Sequence, residues 1–176
     1  DEDLSRGLGD VYKRQTGSTQ VGKLIQKSLA GRNVGLTLEL GGKAANIVYE
    51  DAAIDQAVEG VVNGIFFNQG HVCCAGSRLL LQESIHDEFV AKLEKRMQTL
   101  RVGNPLDKNT DIGAINSKEQ LNKIEGLVNE GVSDGGKIFQ TECELPGNGF
   151  WFKPTLFTDV QLSLIHISEP TRQVLI

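Results

Sequence analysis

The chain is short of the features that mark several functional classes. It has three cysteines, Cys73, Cys74 and Cys143. An odd number with one adjacent pair makes a poor disulfide framework, so the expected compartment is reducing, with the cytoplasm as default. Positive charge is not in excess: 18 Lys and Arg stand against 23 Asp and Glu, a net charge of −5. That leaves no basic patch for nucleic acid or an anionic membrane surface. No apolar run approaches the length of a bilayer span, and the charged start DEDLSRGLGD is no signal peptide. Internal repeats, low-complexity tracts and a metal-ligand pattern are absent. What is plentiful is glycine, 20 of 176 residues, with 39% apolar content. This suits a soluble α/β protein with many tight turns, long enough for one domain or for pieces of two.

The two ends are related to each other. Ser5–Gln15 reads SRGLGDVYKRQ and Leu162–Arg172 reads LSLIHISEPTR. A DNA sequence encoding the second has a reverse complement that encodes the first, residue for residue. That DNA resembles the transposon-end adaptor used in sequencing-library preparation. Residues 1–15 and 162–176 are therefore expected to be adaptor-derived and outside the native fold, His166 among them. The insert, 16–161, carries 14 basic and 18 acidic residues.

Within the insert, Gly17 and Ser18 lead into a helical pattern with Val21, Leu24, Ile25 and Leu29 on one face. Small residues at a helix start can offer free N–H groups to a phosphate; a Ser-capped surface helix gives the same pattern. Leu36–Leu40 and Ala45–Tyr49 have strand length, separated by Gly41-Gly42. The series Ile54, Ala57, Val58, Val61, Val62, Ile65, Phe66 predicts a core helix. Arg78–Gln82 reads as a buried strand, and Ile85, Phe89, Leu93, Met97 and Leu100 mark a second amphipathic helix. Ser117–Gln120 forms a capping box for a helix bearing Leu121, Ile124 and Val128. Gly131–Gly136 is read as turn, Lys137–Phe139 as a short strand, and Phe150–Val160, interrupted by Pro154, as at most an edge strand.

Two stretches carry chemistry. Phe66–Arg78, FFNQGHVCCAGSR, runs from the core helix into a loop that sets Cys73 and Cys74 among small residues. A thiol beside backbone-exposing residues suits attack on a carbonyl; two buried, inert thiols are the plainer alternative. Leu36–Lys43, LTLELGGK, places Glu39 among apolar neighbours. It is either an exposed side chain on a half-buried strand or a carboxylate whose burial raises its pKa.

Taken together, GSTQVG, LELGGK, FFNQGHVCCAGSR, VGNPLD and FKPTLFTDV resemble the aldehyde dehydrogenase superfamily across essentially the whole insert. Glu39 and Cys73 lie 34 residues apart, the spacing that family uses. The resemblance implies an α/β fragment of the aldehyde dehydrogenase fold. Residues 16–41 would be the C-terminal part of the Rossmann-like cofactor domain, and 42–161 a partial catalytic domain. It implies Cys73 as nucleophile and Glu39 as general base. It also implies cofactor contacts at Gly17, Ser18, Gly22, Leu40, Gly41, Gln120 and Lys123, with NAD or NADP as cofactor. The substrate would be a small-molecule aldehyde and the parent protein a homo-oligomer, with no nucleic acid or membrane partner. Departures stand beside the match. His71 occupies a position where the family usually has Gln or Glu, and the family's oxyanion asparagine lies upstream of this segment. The isolated chain is expected to be inactive. A non-catalytic scaffold domain of the same fold is the rival reading, and an acyl-CoA-forming enzyme is disfavoured by Glu39. The enzyme reading expects the thiol of Cys73 and the carboxylate of Glu39 to border one pocket.

Overall fold

The computed structural model describes residues 12–160, which form two parallel βαβ units followed by two helices and an antiparallel strand pair. In the first unit, strand β1 (Tyr12–Thr16) and strand β2 (Gly35–Glu39) pair in parallel, with helix α1 (Thr19–Leu29) crossing between them. Thus Tyr12–Gln15, read from the sequence as adaptor-derived and outside the fold, occupy a strand position beside β2. Backbone pairing asks little of side-chain identity, and the alternation along YKRQT leaves Tyr12 more than half exposed. Helix α1 begins at Ser18, whose hydroxyl accepts from Val21 N–H at 3.2 Å. Of its eleven residues only Gly22 is buried, while Leu24 is 65% exposed.

The second unit holds the core. Strand β3 (Ala45–Val48) and strand β4 (Arg78–Leu81) pair in parallel, joined by helix α2 (Ile54–Phe66) and the cysteine loop. The 3.6-residue period buries Val58, Val61, Val62, Ile65 and Phe66 on one face of α2. Against it lies α3 (His86–Met97), which contributes Phe89, Leu93 and Met97, all 2% exposed or less. Two ion pairs clamp the rim of this contact, Lys92–Asp55 at 2.7 Å and Arg96–Glu59 at 2.6 Å. Exposed pairs of this kind are screened by solvent and contribute little, so the buried apolar face sets the geometry.

Helix α4 (Lys118–Ser133) packs Leu121, Ile124 and Val128 with Ile115 into a second cluster, covered by Phe152 and Phe157. It runs on through Gly131–Ser133, part of the stretch read as turn. The ring of Phe157 lies where a Cβ on Gly131 would sit, 3.1 Å from Cε1, so glycine there serves packing, and the chain turns only at Gly135 (φ +90°). Strands β5 (Lys137–Gln140) and β6 (Thr155–Thr158) pair antiparallel, with Pro154 placed just outside the ladder. Among the described residues no helix is long and apolar enough to cross a membrane. His166 and the rest of 161–176 lie outside the described residues.

Candidate active site

Helix α2 ends at Phe66, and the backbone then turns through three successive left-handed residues: Asn68 (φ +50°), Gln69 (φ +54°) and Gly70 (φ +71°). Only glycine takes this conformation without cost; a non-glycine residue there stores about 1–3 kcal/mol and persists where neighbours hold it. The neighbours are identifiable. His71 N–H donates to Asn68 O at 2.9 Å, closing the turn. The Gln69 amide, oriented with its oxygen toward the Asp111–Gly113 segment, accepts from Gly113 N–H at 2.8 Å. A Cβ on Gly113 would meet the same amide at 2.5 Å. Lys43 Nζ donates to the buried Gly70 carbonyl.

Past the turn, Cys73 and Cys74 are both exposed, which sets aside the reading of buried thiols. Ala75 and Gly76 are buried immediately after them. Ala75 O accepts from Ala44 N–H at 3.0 Å, and Gly76 O accepts from the Asn46 side-chain amide at 2.9 Å. Arg78 adds a longer contact to Lys43 O, at 3.5 Å. The stretch after the Gly41-Gly42 pair is therefore tied to both flanks of the cysteine pair, ahead of it through Lys43 and behind it through Ala44 and Asn46.

Burial shapes the charges. It lowers the Lys43 pKa from its ordinary 10.5, while attraction to Cys73 and Cys74 in their ionised forms works the other way. Burial likewise lowers the pKa of His71, opposed by its bond with Asn68 and reinforced by the Lys43 charge. No hydrogen bond joins His71 to Cys73, in keeping with side chains two residues apart in a loop.

Glu39, expected as the base, is an exposed side chain at the end of β2. Its carboxylate pairs with Arg14 at 3.4 Å, and its main-chain carbonyl accepts from Gly17 N–H at 3.0 Å. Leu40 folds onto Gly22, where a Cβ would approach Leu40 Cδ1 to 2.6 Å. Gly17, Ser18, Gly22, Leu40 and Gly41 thus gather around the start of α1 and the end of β2. Gln120 and Lys123 sit on the first turns of α4, where Ser117 Oγ accepts from Gln120 N–H at 3.1 Å. The Gln120 side chain makes no return bond to the Ser117 main-chain N–H; the neighbouring Glu119 carboxylate has its pKa lowered by its own backbone N–H and by the Ser117 hydroxyl. Among the described residues no cluster of His, Cys, Asp and Glu could hold a metal ion.

Sequence reading missed Lys43, Asn46, Gln69 and Gly113. The glycines at 70, 76 and 113 were the available signal, since each marks a close backbone approach.

A profile described as Aldehyde dehydrogenase family matches residues 14–170. Retinal dehydrogenase 2 of Taeniopygia guttata is 44% identical over 168 residues, covering 91% of this chain and 32% of that protein. Cytosolic 10-formyltetrahydrofolate dehydrogenase of Xenopus laevis is 44% identical over 146 residues, covering 82% and 16%. Among solved structures, betaine aldehyde dehydrogenase of Staphylococcus aureus in complex with NAD+ superposes with a TM-score of 0.82 at 34% identity. That match covers 93% of this chain and 34% of the other. The chain spans between 16% and 34% of the length of these relatives.

Proposed function

The chain belongs to the aldehyde dehydrogenase family, and from that premise we propose that its parent protein oxidises an aldehyde to a carboxylate with NAD or NADP. The observation that carries the proposal is the exposed Cys73, presented by a strained turn that is tied to the LELGGK stretch through Lys43.

The start of α1 fits a dinucleotide phosphate. Its first N–H groups lie at the positive end of the helix, and among the described residues Thr19 Oγ1 is buried there without a partner. Gly17, Ser18 and Gly22 would hold the pyrophosphate, Leu40 and Gly41 would border the nicotinamide, and Gln120 and Lys123 would reach its ribose. The bound cofactor supplies the hydride acceptor. The chain's own residues do the rest. Once its S–H proton has passed to solvent water, Cys73 Sγ attacks the carbonyl carbon to form a C–S bond, and the Cys73 main-chain N–H faces the resulting oxyanion. Loss of hydride from that carbon leaves a thioester on Cys73. Glu39 takes a proton from water, which attacks the thioester and releases carboxylate and thiol.

In the described chain Glu39 is paired with Arg14, a residue within the segment proposed to be adaptor-derived. The 176-residue chain by itself is proposed to be inactive; saturable NAD binding to it would contradict this. The parent is placed in a reducing compartment, the cytoplasm, and acts as a homo-oligomer.

The test uses the complete protein, an aldehyde and NAD or NADP. Cys73→Ser abolishes NAD(P)H formation; Glu39→Gln gives one rapid turnover followed by slow thioester hydrolysis. Retained turnover in Cys73→Ser overturns the assignment.

A further inference from the structure

We propose that Lys43 is the positioning residue of the cysteine loop: its ammonium holds the Gly70 carbonyl, keeps the left-handed turn formed, and fixes a positive charge facing the thiols. The inference rests on the reading of Cys73 as the nucleophile and goes beyond it by naming what presents that thiol.

Three observations converge. Lys43 Nζ donates to Gly70 O across 27 residues of sequence. A lysine drawn into a half-buried position normally meets a carboxylate; here the charge is directed at a main-chain carbonyl, where it gives a charge-assisted bond. The carbonyl belongs to the last of three consecutive left-handed residues, two of them not glycine. A turn of that kind relaxes unless its surroundings over-determine it, and the other ties use neutral donors: His71 N–H and Gly113 N–H. The ammonium lies close enough to Cys73 and Cys74 to be attracted by them in their ionised forms, whereas burial works against a charge on His71. A purely space-filling lysine would need none of these relations.

The experiment uses iodoacetamide, a neutral reagent whose approach is not steered by charge, on the complete protein without substrate or cofactor. Alkylation is followed by peptide mass at residues 73 and 143, since Cys143 lies on another segment beside Thr141. In Lys43→Met the rate at Cys73 falls about tenfold and that at Cys143 is unchanged; Lys43→Arg, which keeps charge and donor, returns to within about threefold. A wild-type rate at Cys73 in Lys43→Met overturns the proposal. If Lys43→Met fails to fold, seen as faster labelling at Cys143, the unaltered protein decides. Raising ionic strength from about 0.01 M to about 1 M contracts the screening length from about 30 Å to about 3 Å. The rate at Cys73 then falls about two- to threefold and that at Cys143 holds; an equal response at both sites overturns the proposal. Labelling is read without turnover, so it stands apart from the nucleophile assignment, which falls only if Cys73→Ser still oxidises aldehyde.

Discussion

The Asn46 side-chain amide donates to the Gly76 carbonyl at 2.9 Å and fills the space into which a Gly76 Cβ would project, 2.7 Å from Asn46 Cγ. The same amide lies 3.9 Å from where a Cβ on Gly64 would stand, in the last part of α2. One side chain thus joins strand, helix and cysteine loop. Gly76→Ala forces the amide aside and breaks its hydrogen bond, at a cost of about 1–3 kcal/mol. Thermal unfolding of the complete protein measures this. In an Asn46→Ala background the same Gly76→Ala change costs less, because the clash has been removed; equal costs in both backgrounds would rule out the coupling.

Beneath that junction, Phe89 is 0% exposed and packs with α2 through the main core cluster. Phe89→Ala leaves a cavity that the two clamped helices cannot close, costing about 3–5 kcal/mol in denaturant unfolding. Lys92→Ala, on the exposed rim of the same contact, leaves the unfolding midpoint almost unchanged, because solvent screens the pair. Comparable losses from both would mean that the ion pairs, not the apolar face, hold the helices together.

The contrast marks what could be read from the sequence. Helix α2 was legible to both ends because seven apolar residues at helical spacing admit no other element, while the roles proposed for Glu39 and Cys73 come from motif and spacing alone. The ties around the cysteines were not legible. Lys43 and Gly70, or Asn46 and Gly76, are residue types found on any surface, and only the parallel pairing of β3 with β4 brings them together. Helix α4 overran its expected end because glycine at 131 answers to Phe157, a residue of a distant strand. Tyr12–Gln15 pair with β2 although their side chains carry no strand pattern, since a free β2 edge accepts any extended backbone.

His71 gives the chain a pH response. Its folded pKa lies below the ordinary 6.5, chiefly through burial. Between that lowered value and about 6.5, the unfolded chain binds more protons than the folded one, so stability rises with pH. The destabilisation is therefore absent above about pH 6.5 and grows as pH falls through the window. His71→Gln removes this component, giving a flatter acid limb in unfolding midpoint against pH. A limb unchanged in His71→Gln would place the response elsewhere.

At the start of α4, the sequence assigns Gln120 both to the capping box and, through the family resemblance, to cofactor contact. The geometry separates them, because Ser117 Oγ takes the main-chain N–H of Gln120, at 3.1 Å, and leaves its side chain uncommitted. Ser117→Ala removes an acceptor from the helix N-terminus and costs about 1 kcal/mol of stability. Gln120→Ala keeps the cap, since the N–H remains, and changes stability by less than about 0.5 kcal/mol. If the Gln120 side chain reaches the cofactor ribose, its loss raises KM for NAD(P) severalfold while kcat and the aldehyde KM hold. Unfolding midpoints and cofactor titrations of the two variants in the complete protein then respond in opposite patterns: one loses stability and keeps cofactor affinity, the other the reverse. A Gln120→Ala protein that loses stability as Ser117→Ala does, with cofactor KM unchanged, would assign residue 120 to the helix alone.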